Sequence, residues 1–140
     1  MQIQKIMTRR VDAVPPESTI REAARKMKDL NVGSLPVREG SRVIGIVTDR
    51  DIATRAVAEG RDPEGTHVSD VMTRPAFCCH EADDVKAAAK VMADHQVRRI
   101  PVLNEKEEMV GILALSDMLG DRSNRSTVTE AFDRISKRTA

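Results

Sequence analysis

Thr48 and Asp51, three residues apart at the end of the apolar run Gly45-Ile46-Val47, are the pair best suited to chemistry. A carboxylate so placed can accept two hydrogen bonds from a vicinal diol, as the acidic residue does for ribose in dinucleotide folds. Such charge-assisted bonds contribute about 1.5–3 kcal/mol. The Thr48 hydroxyl and the free amides of a new helix start suit a phosphate beside that diol. The same Thr-x-x-Asp spacing also describes a helix-capping box, and an acid in a first turn is stabilised by the helix dipole without any ligand. On spacing alone capping is the stronger reading, and the two roles are compatible. A second copy, Gly111-Ile112-Leu113-Ala114-Leu115-Ser116-Asp117, keeps the acid at Asp117 but puts Ala114 where Thr48 stands. There Ser116 is the alternative cap, from a shifted helix start.

The elements that position these residues repeat. At an offset of 65, Met7-Thr8-Arg9 falls on Met72-Thr73-Arg74, Ala23 on Ala88, Met27 on Met92 and Pro36-Val37 on Pro101-Val102. One extra residue in the turn after Leu103 then brings Gly45, Ile46 and Asp51 onto Gly111, Ile112 and Asp117. Each copy reads as strand, helix, strand, strand, helix, an α/β (α+β) pattern.

In the first copy, residues 11–14 make a short strand and Pro15-Pro16 a turn. Ser18 is the expected N-cap of a helix whose stripe is Ile20, Ala23, Ala24, Met27 and Leu30, with Gly33 as its stop. Residues 35–38 and 43–47 form a hairpin around Glu39-Gly40-Ser41. A helix from Thr48 then carries Ile52, Ala53, Ala56 and Val57 inward and stops at Gly60. In the second copy the strand is 77–79, the cap Asp83 or Asp84, the helix stripe Val85, Ala88, Ala89 and Met92, the strands 100–103 and 109–113, and the last helix starts near Ser116. The expected limits are 1–60 for repeat one, 61–67 for a linker, 68–120 for repeat two and 121–140 for a polar loop and C-terminal helix. That helix is opened by a Thr127/Glu130 capping box and faces inward through Ala131, Phe132 and Ile135.

Composition narrows the function classes. The chain of 140 residues fits one compact domain or two small lobes, and with two Phe and no Trp or Tyr its core is aliphatic. A net charge of +1 gives no bulk attraction to nucleic acid or anionic lipid, and base-stacking aromatics are lacking. No apolar run has the length of a signal core or a membrane span. The expectation is a cytoplasmic protein. Adjacent Cys78 and Cys79 cannot readily pair with each other and fit a reducing compartment. No phosphate-binding Gly-x-x-x-x-Gly-Lys loop, His-Glu-x-x-His or Gly-x-Ser-x-Gly occurs, so catalysis is not expected.

The Met-Thr openers, the hairpins with Leu35-Pro36-Val37 and Ile100-Pro101-Val102, and the two Gly-apolar-apolar-x-x-x-Asp endings resemble a tandem pair of CBS motifs, the Bateman module, in its stand-alone bacterial form. The resemblance covers about residues 4–120. It implies two repeats packed about a pseudo-twofold axis, commonly paired with a second chain. It also implies regulation through an adenosine-containing ligand, without catalysis or a required cofactor.

On that pattern Thr48 and Asp51 become ribose and phosphate contacts, and the capping order is reversed. Asp117 keeps the ribose role in a second site that is weaker or empty for lack of the Thr48 hydroxyl. Arg98-Arg99 stands at the place of Gly33-Ser34 and would bring a guanidinium to the phosphate, completing the Thr48/Asp51 site. Without the resemblance an Arg pair on a loop is solvated surface. Arg50 is a lesser candidate that also balances Asp49 and Asp51. The adenine slot maps to Ala13, Val14, Leu35 and Pro36 in repeat one and to Cys78, Cys79, Ile100 and Pro101 in repeat two, all of which also serve as core strand residues. The ligand is expected among AMP, ADP and ATP, ahead of NAD(H) and S-adenosylmethionine. The expected partners are a second copy of the chain and a possible effector protein. Cys78-Cys79-His80, with His67 and His95, lacks zinc-ligand spacing; buried thiols are the expectation, with His95 at the core position of Leu30.

Overall fold

The computed structural model describes residues 1–137 and divides the chain into two compact units, Asp12–Ala76 and Met1–Val11 with the residues from Phe77 onward. The last three positions of the predicted tail lie outside the described residues.

In the unit of residues 12–76, α1 (Ile20–Leu30) buries Ile20, Ala23 and Met27, while Ala24, assigned to the stripe by spacing, is exposed. Its N-cap is Thr19, whose hydroxyl accepts from the Glu22 amide at 3.1 Å, so the cap lies one residue beyond Ser18. It stops at Asn31, left-handed at φ 55°, and not at Gly33; Asn enters that region more readily than most residues. The hairpin β1 (Ser34–Glu39) and β2 (Arg42–Thr48) is antiparallel, with Leu35 opposite Val47, and turns through Gly40 at φ +63°. Of the strand expected at 11–14, only Val14 is bridged, in parallel to Val37. Asp49–Ile52 (α2) continues as a π-helical turn, Ala53–Val57. This helix buries Ala56 and half-buries Ile52, but Ala53 and Val57 face out, Val57 at 66% exposure, because a π turn rotates the face that a regular period would predict. After the 61–67 segment, α3 (Val68–Val71) returns Val68, Val71 and Met72 to the core of Val14, Ile20, Met27, Leu35, Val37 and Val47.

The other unit repeats the plan with β3 (Cys79–His80), α4 (Val85–His95), β4 (Arg99–Leu103) and β5 (Met109–Ala114) in a sheet of order β3-β4-β5. Asp84 caps α4 through the Lys86 amide at 2.9 Å, and Gln96 takes the left-handed stop at φ 54°. A 3-10 helix, Leu115–Gly120, follows β5, and α5 (Arg125–Ser136) packs Ala131 and Ile135 into a core with Ile3, Met7, Ala88, Met92, Ile100 and Leu113. The start of α5 at Arg125 places Thr127 inside the helix, so the Thr127/Glu130 box is not its cap. Instead buried Asn124 donates its side-chain amide to the Met118 carbonyl. Phe132, expected inward, is 49% exposed.

The Met-Thr openers serve the opposite repeats. Thr73 exchanges backbone bonds with Ile46 of β2 (3.0 and 2.8 Å), and Thr8 exchanges them with Ile112 of β5 (2.9 and 2.8 Å). Each opener thereby satisfies the free edge of a second hairpin strand, which would otherwise present unpaired amides and carbonyls. The closeness of that edge also requires the glycines. A Cβ on Gly111 would stand 2.6 Å from the Thr8 carbonyl oxygen, and one on Gly45 would stand 3.0 Å from that of Thr73.

Candidate functional site

The first junction forms where β2 runs into α2. The Thr48 hydroxyl accepts from the Asp51 amide and an Asp51 oxygen accepts from the Thr48 amide, both at 3.0 Å, a complete reciprocal box. Asp51 is only 7% exposed, and its carboxylate also accepts from the Thr73 hydroxyl at 3.2 and 3.3 Å. One turn along, Arg55 lies 3.9 Å from Asp51 and donates to the Val71 and Met72 carbonyls, at 3.0 Å each. Thr73 and Arg55 were not singled out by sequence as partners of Asp51, although the i, i+4 spacing of Arg55 makes that contact readable. Gly33 faces the Asp49 carboxylate, which its own Cβ would meet at 3.0 Å, and its carbonyl accepts from the Asp49 amide. The Asp49 carboxylate accepts from the Arg50 amide; Arg50 itself is exposed. A buried carboxylate that accepts from the Thr48 amide and the Thr73 hydroxyl holds the strand-to-helix turn, and its four lone-pair positions leave room for further donors.

The second junction keeps half of this. An Asp117 oxygen accepts from the Ala114 amide at 2.8 Å, but Ala114 returns nothing. The helix begins at Leu115 directly after Ala114, so the shifted start capped by Ser116 does not occur, and Ser116 is exposed. Thr8, the counterpart of Thr73, has no bond to Asp117, and Asp117 is half-buried. The Leu115 amide donates to the Arg98 carbonyl at 2.8 Å, as Asp49 does to Gly33. Arg98 and Arg99 are both exposed, and the Arg98 guanidinium lies 5.8 Å from the centre of the Phe132 ring. They border a cavity of about 320 Å³ with Ala114, Leu115, Ser116, Leu119, Val128 and Phe132.

Of the slot residues, Leu35, Pro36, Cys79, Ile100 and Pro101 lie in strands, Val14 is a single bridge, and Ala13 and Cys78 lie outside any strand. Val14 donates to the Pro36 carbonyl at 3.0 Å and accepts from Arg38; the half-buried Ala13 carbonyl accepts from Lys26 at 2.8 Å; Leu35 and Pro36 are buried. In the other unit Cys79, Ile100 and Pro101 are buried, Cys78 is half-buried, and the Cys79 thiol lies 3.7 Å from the Pro101 carbonyl. Burial pushes the Cys78 thiol up to about 11 and that of Cys79 up to about 12, the acidic neighbours Glu107 and Asp83 adding to the effect. Among the described residues no three His, Cys, Asp or Glu side chains gather as metal ligands. His95, matched to Leu30 by the repeat, is exposed and stacks on Phe77 with ring centres 4.3 Å apart. His80 pairs with Glu107 at 2.7 Å, and His67 is exposed. No helix of the described residues is long and apolar enough to cross a membrane.

Two copies of a helix-and-hairpin repeat, each ending in an acid-bearing strand-to-helix junction, define a tandem-repeat α/β module. The CBS-domain family profile matches residues 3–58 and 68–123, and the chain belongs to that family as a tandem pair. It is 39% identical to the CBS domain-containing protein YhcV of Bacillus subtilis over 134 residues, 96% of this chain and 94% of that protein. Among solved structures, Hypoxic Response Protein I with two coordinated zinc ions is 30% identical, with a TM-score of 0.78 over 86% of this chain and 98% of its own. The CBS domain protein PAE2072 of Pyrobaculum aerophilum, complexed with AMP, is 26% identical, with a TM-score of 0.78 over 93% and 99%.

Proposed function

We propose that the chain is a regulatory sensor that binds an adenosine nucleotide, acts without catalysis, and signals by a change in dimer shape or partner contacts. The observation that carries this reading is the repeated carboxylate, Asp51 after β2 and Asp117 after β5, in a chain 26% identical to a relative whose structure holds AMP. In this reading Asp51 and Asp117 take ribose hydroxyls, the Thr48 hydroxyl suits a phosphate at the first junction and the Arg98 and Arg99 guanidinium groups one at the second, and the residues around Val14 and Cys79 frame the adenine. A ligand shifts such a module only by binding one of its states better than the other. Self-association is part of this reading, and Val57, 66% exposed, is an apolar side chain outside the cavity at the second junction.

The complete capping box at Thr48 favours a second reading, in which the motif survives only as a structural cap and the chain is a dimerisation module. Thermal unfolding with AMP, ADP, ATP, NADH and S-adenosylmethionine separates the two. A ligand at about 100 times its dissociation constant stabilises by about 2.7 kcal/mol. The expected outcome is a raised midpoint with one of the first three, reduced in Asp51→Asn and Asp117→Asn. An unmoved midpoint with every ligand selects the structural reading.

A further inference from the structure

Helix α5 begins at Arg125, beyond the second matched span, and its inner face is already used by Ala131 and Ile135 in the core. Val128, which also packs against that core, and Phe132 line the cavity at the second junction together with Leu115, Leu119, Arg98 and Arg99. Leu119 is 65% and Phe132 49% exposed, an unusual cost for large apolar side chains standing together. Among the described residues neither arginine has a carboxylate partner, and the Arg98 guanidinium lies over the Phe132 ring, 5.8 Å from its centre. A volume of about 320 Å³ lies at the lower end of small-molecule sites. Two unpaired guanidinium groups beside an aromatic and aliphatic slot complement one kind of molecule: a phosphate joined to a flat ring.

We propose that α5 turns this cavity into a selective site for ring-bearing phosphate monoesters, with Phe132 as the stacking and specificity-determining residue and Arg98 and Arg99 as the phosphate clamp. Without ligand, Phe132 holds Arg98 by its ring face; with ligand, the ring of the nucleotide takes that face and the guanidinium turns to the phosphate. The choice of a nucleotide as the natural occupant rests on the reading above; the role of α5 does not depend on the base being adenine.

The test is calorimetric titration of the full chain with AMP, GMP and inorganic pyrophosphate, for the wild type, Phe132→Ala, Phe132→Leu and Arg98→Ala/Arg99→Ala, with each variant's melting midpoint as the folding control. Phe132 is half exposed, so its variants are expected to melt near the wild type. The expected result is that Phe132→Ala and Phe132→Leu weaken the ring-bearing ligands about fivefold or more, the weak end of aromatic stacking on a base, and leave pyrophosphate unchanged. The double arginine variant weakens all three. Nucleotide binding that is indifferent to both Phe132 variants overturns the inference and leaves the adenosine reading standing. Binding of GMP but not AMP, lost with Phe132, supports the inference and removes AMP from the adenosine reading. Absence of binding by either nucleotide overturns the inference, and the adenosine reading then stands or falls on the melting series with ADP and ATP.

Discussion

The two strand-to-helix junctions share a backbone and differ in nearly every side chain that surrounds it. At the first, Asp51 is buried, accepts from Thr48 and Thr73, and has Arg55 one turn away; Asp49 stands over Gly33. At the second, Asp117 keeps a single amide, Leu115 replaces Asp49, and Arg98 and Arg99 replace Gly33-Ser34 beside an open cavity. The two junctions therefore contrast a carboxylate buried among hydrogen-bond donors with one whose surroundings are cationic and open. The loss of the hydroxyl at Ala114 weakens the cap, while the same junction stands beside the two exposed guanidinium groups of Arg98 and Arg99.

Removing the acids breaks this comparison most sharply. Asp51→Ala leaves the Thr73 hydroxyl and the Thr48 amide unanswered in a buried place and is expected to lower unfolding free energy by about 2–3 kcal/mol. Asp117→Ala loses one bond at a half-buried position, and about 1 kcal/mol is expected. Urea denaturation of both variants measures the difference; equal losses would mean that the environment of Asp51 adds nothing to the shared amide bond.

The glycines come next, and here the order is reversed. Gly111→Ala drives a methyl against the Thr8 carbonyl at 2.6 Å and is expected to cost about 2 kcal/mol, within the usual range for overpacking. Gly45→Ala meets first the flexible Met72 thioether at 2.8 Å and then a backbone oxygen at 3.0 Å, so about 1 kcal/mol is expected. A larger loss at Gly45 would show that the opener sits tighter on the first repeat than on the second.

Smaller still is the exchange of caps. Thr48→Ala makes the first junction resemble the second and should cost about 1 kcal/mol, while Ala114→Ser offers the second junction its missing acceptor and should return about 0.5 kcal/mol. Ala114 is only 8% exposed, so serine suits this test better than the larger threonine. Chemical denaturation at one temperature reads both; a destabilised Ala114→Ser chain would show that the site has no room for a hydroxyl.

Much of this organisation was legible in the residues. The 65-residue offset, the hairpins and the acid-bearing junctions follow from apolar periodicity and from glycine and proline punctuation, which act locally. What the sequence hid was non-local. Nothing in the spacing says that Met72-Thr73 closes the edge of the first repeat's sheet and Met7-Thr8 that of the second, because edge pairing is decided after the chain has turned back on itself. For the same reason Thr73 was not recognised as a partner of Asp51. A regular helical period puts Val57 and Phe132 inside, whereas the π turn turns Val57 out and α5 buries Ala131 and Ile135 and leaves Phe132 half exposed. The phosphate role of Arg98 is implied only by the family resemblance, and its neighbour Phe132 comes from a helix outside the repeat.

The last contrast, absent at neutral pH, is between the two slots, where Val14 in one unit corresponds to Cys79 in the other. Both are buried, at 4% and 3% exposure, but only the thiol titrates. Burial raises Cys79 from 9.0 to about 12, and Cys78 from 9.0 to about 11, so the folded state holds their protons more tightly than the unfolded chain does. The resulting stability is fully present below pH 9, where thiols are protonated in both states. It is lost as the pH rises from 9 toward 11–12, because the unfolded chain alone gains by ionising. Denaturant midpoints measured at pH 8, 9 and 10 should therefore fall more steeply for the wild type than for Cys79→Val, which makes the second slot resemble the first. At pH 8 the same thiols should resist alkylation until the chain is unfolded, since the thiolate is the reactive form. Parallel alkaline slopes in the two proteins would place the origin of the pH dependence elsewhere than in this slot.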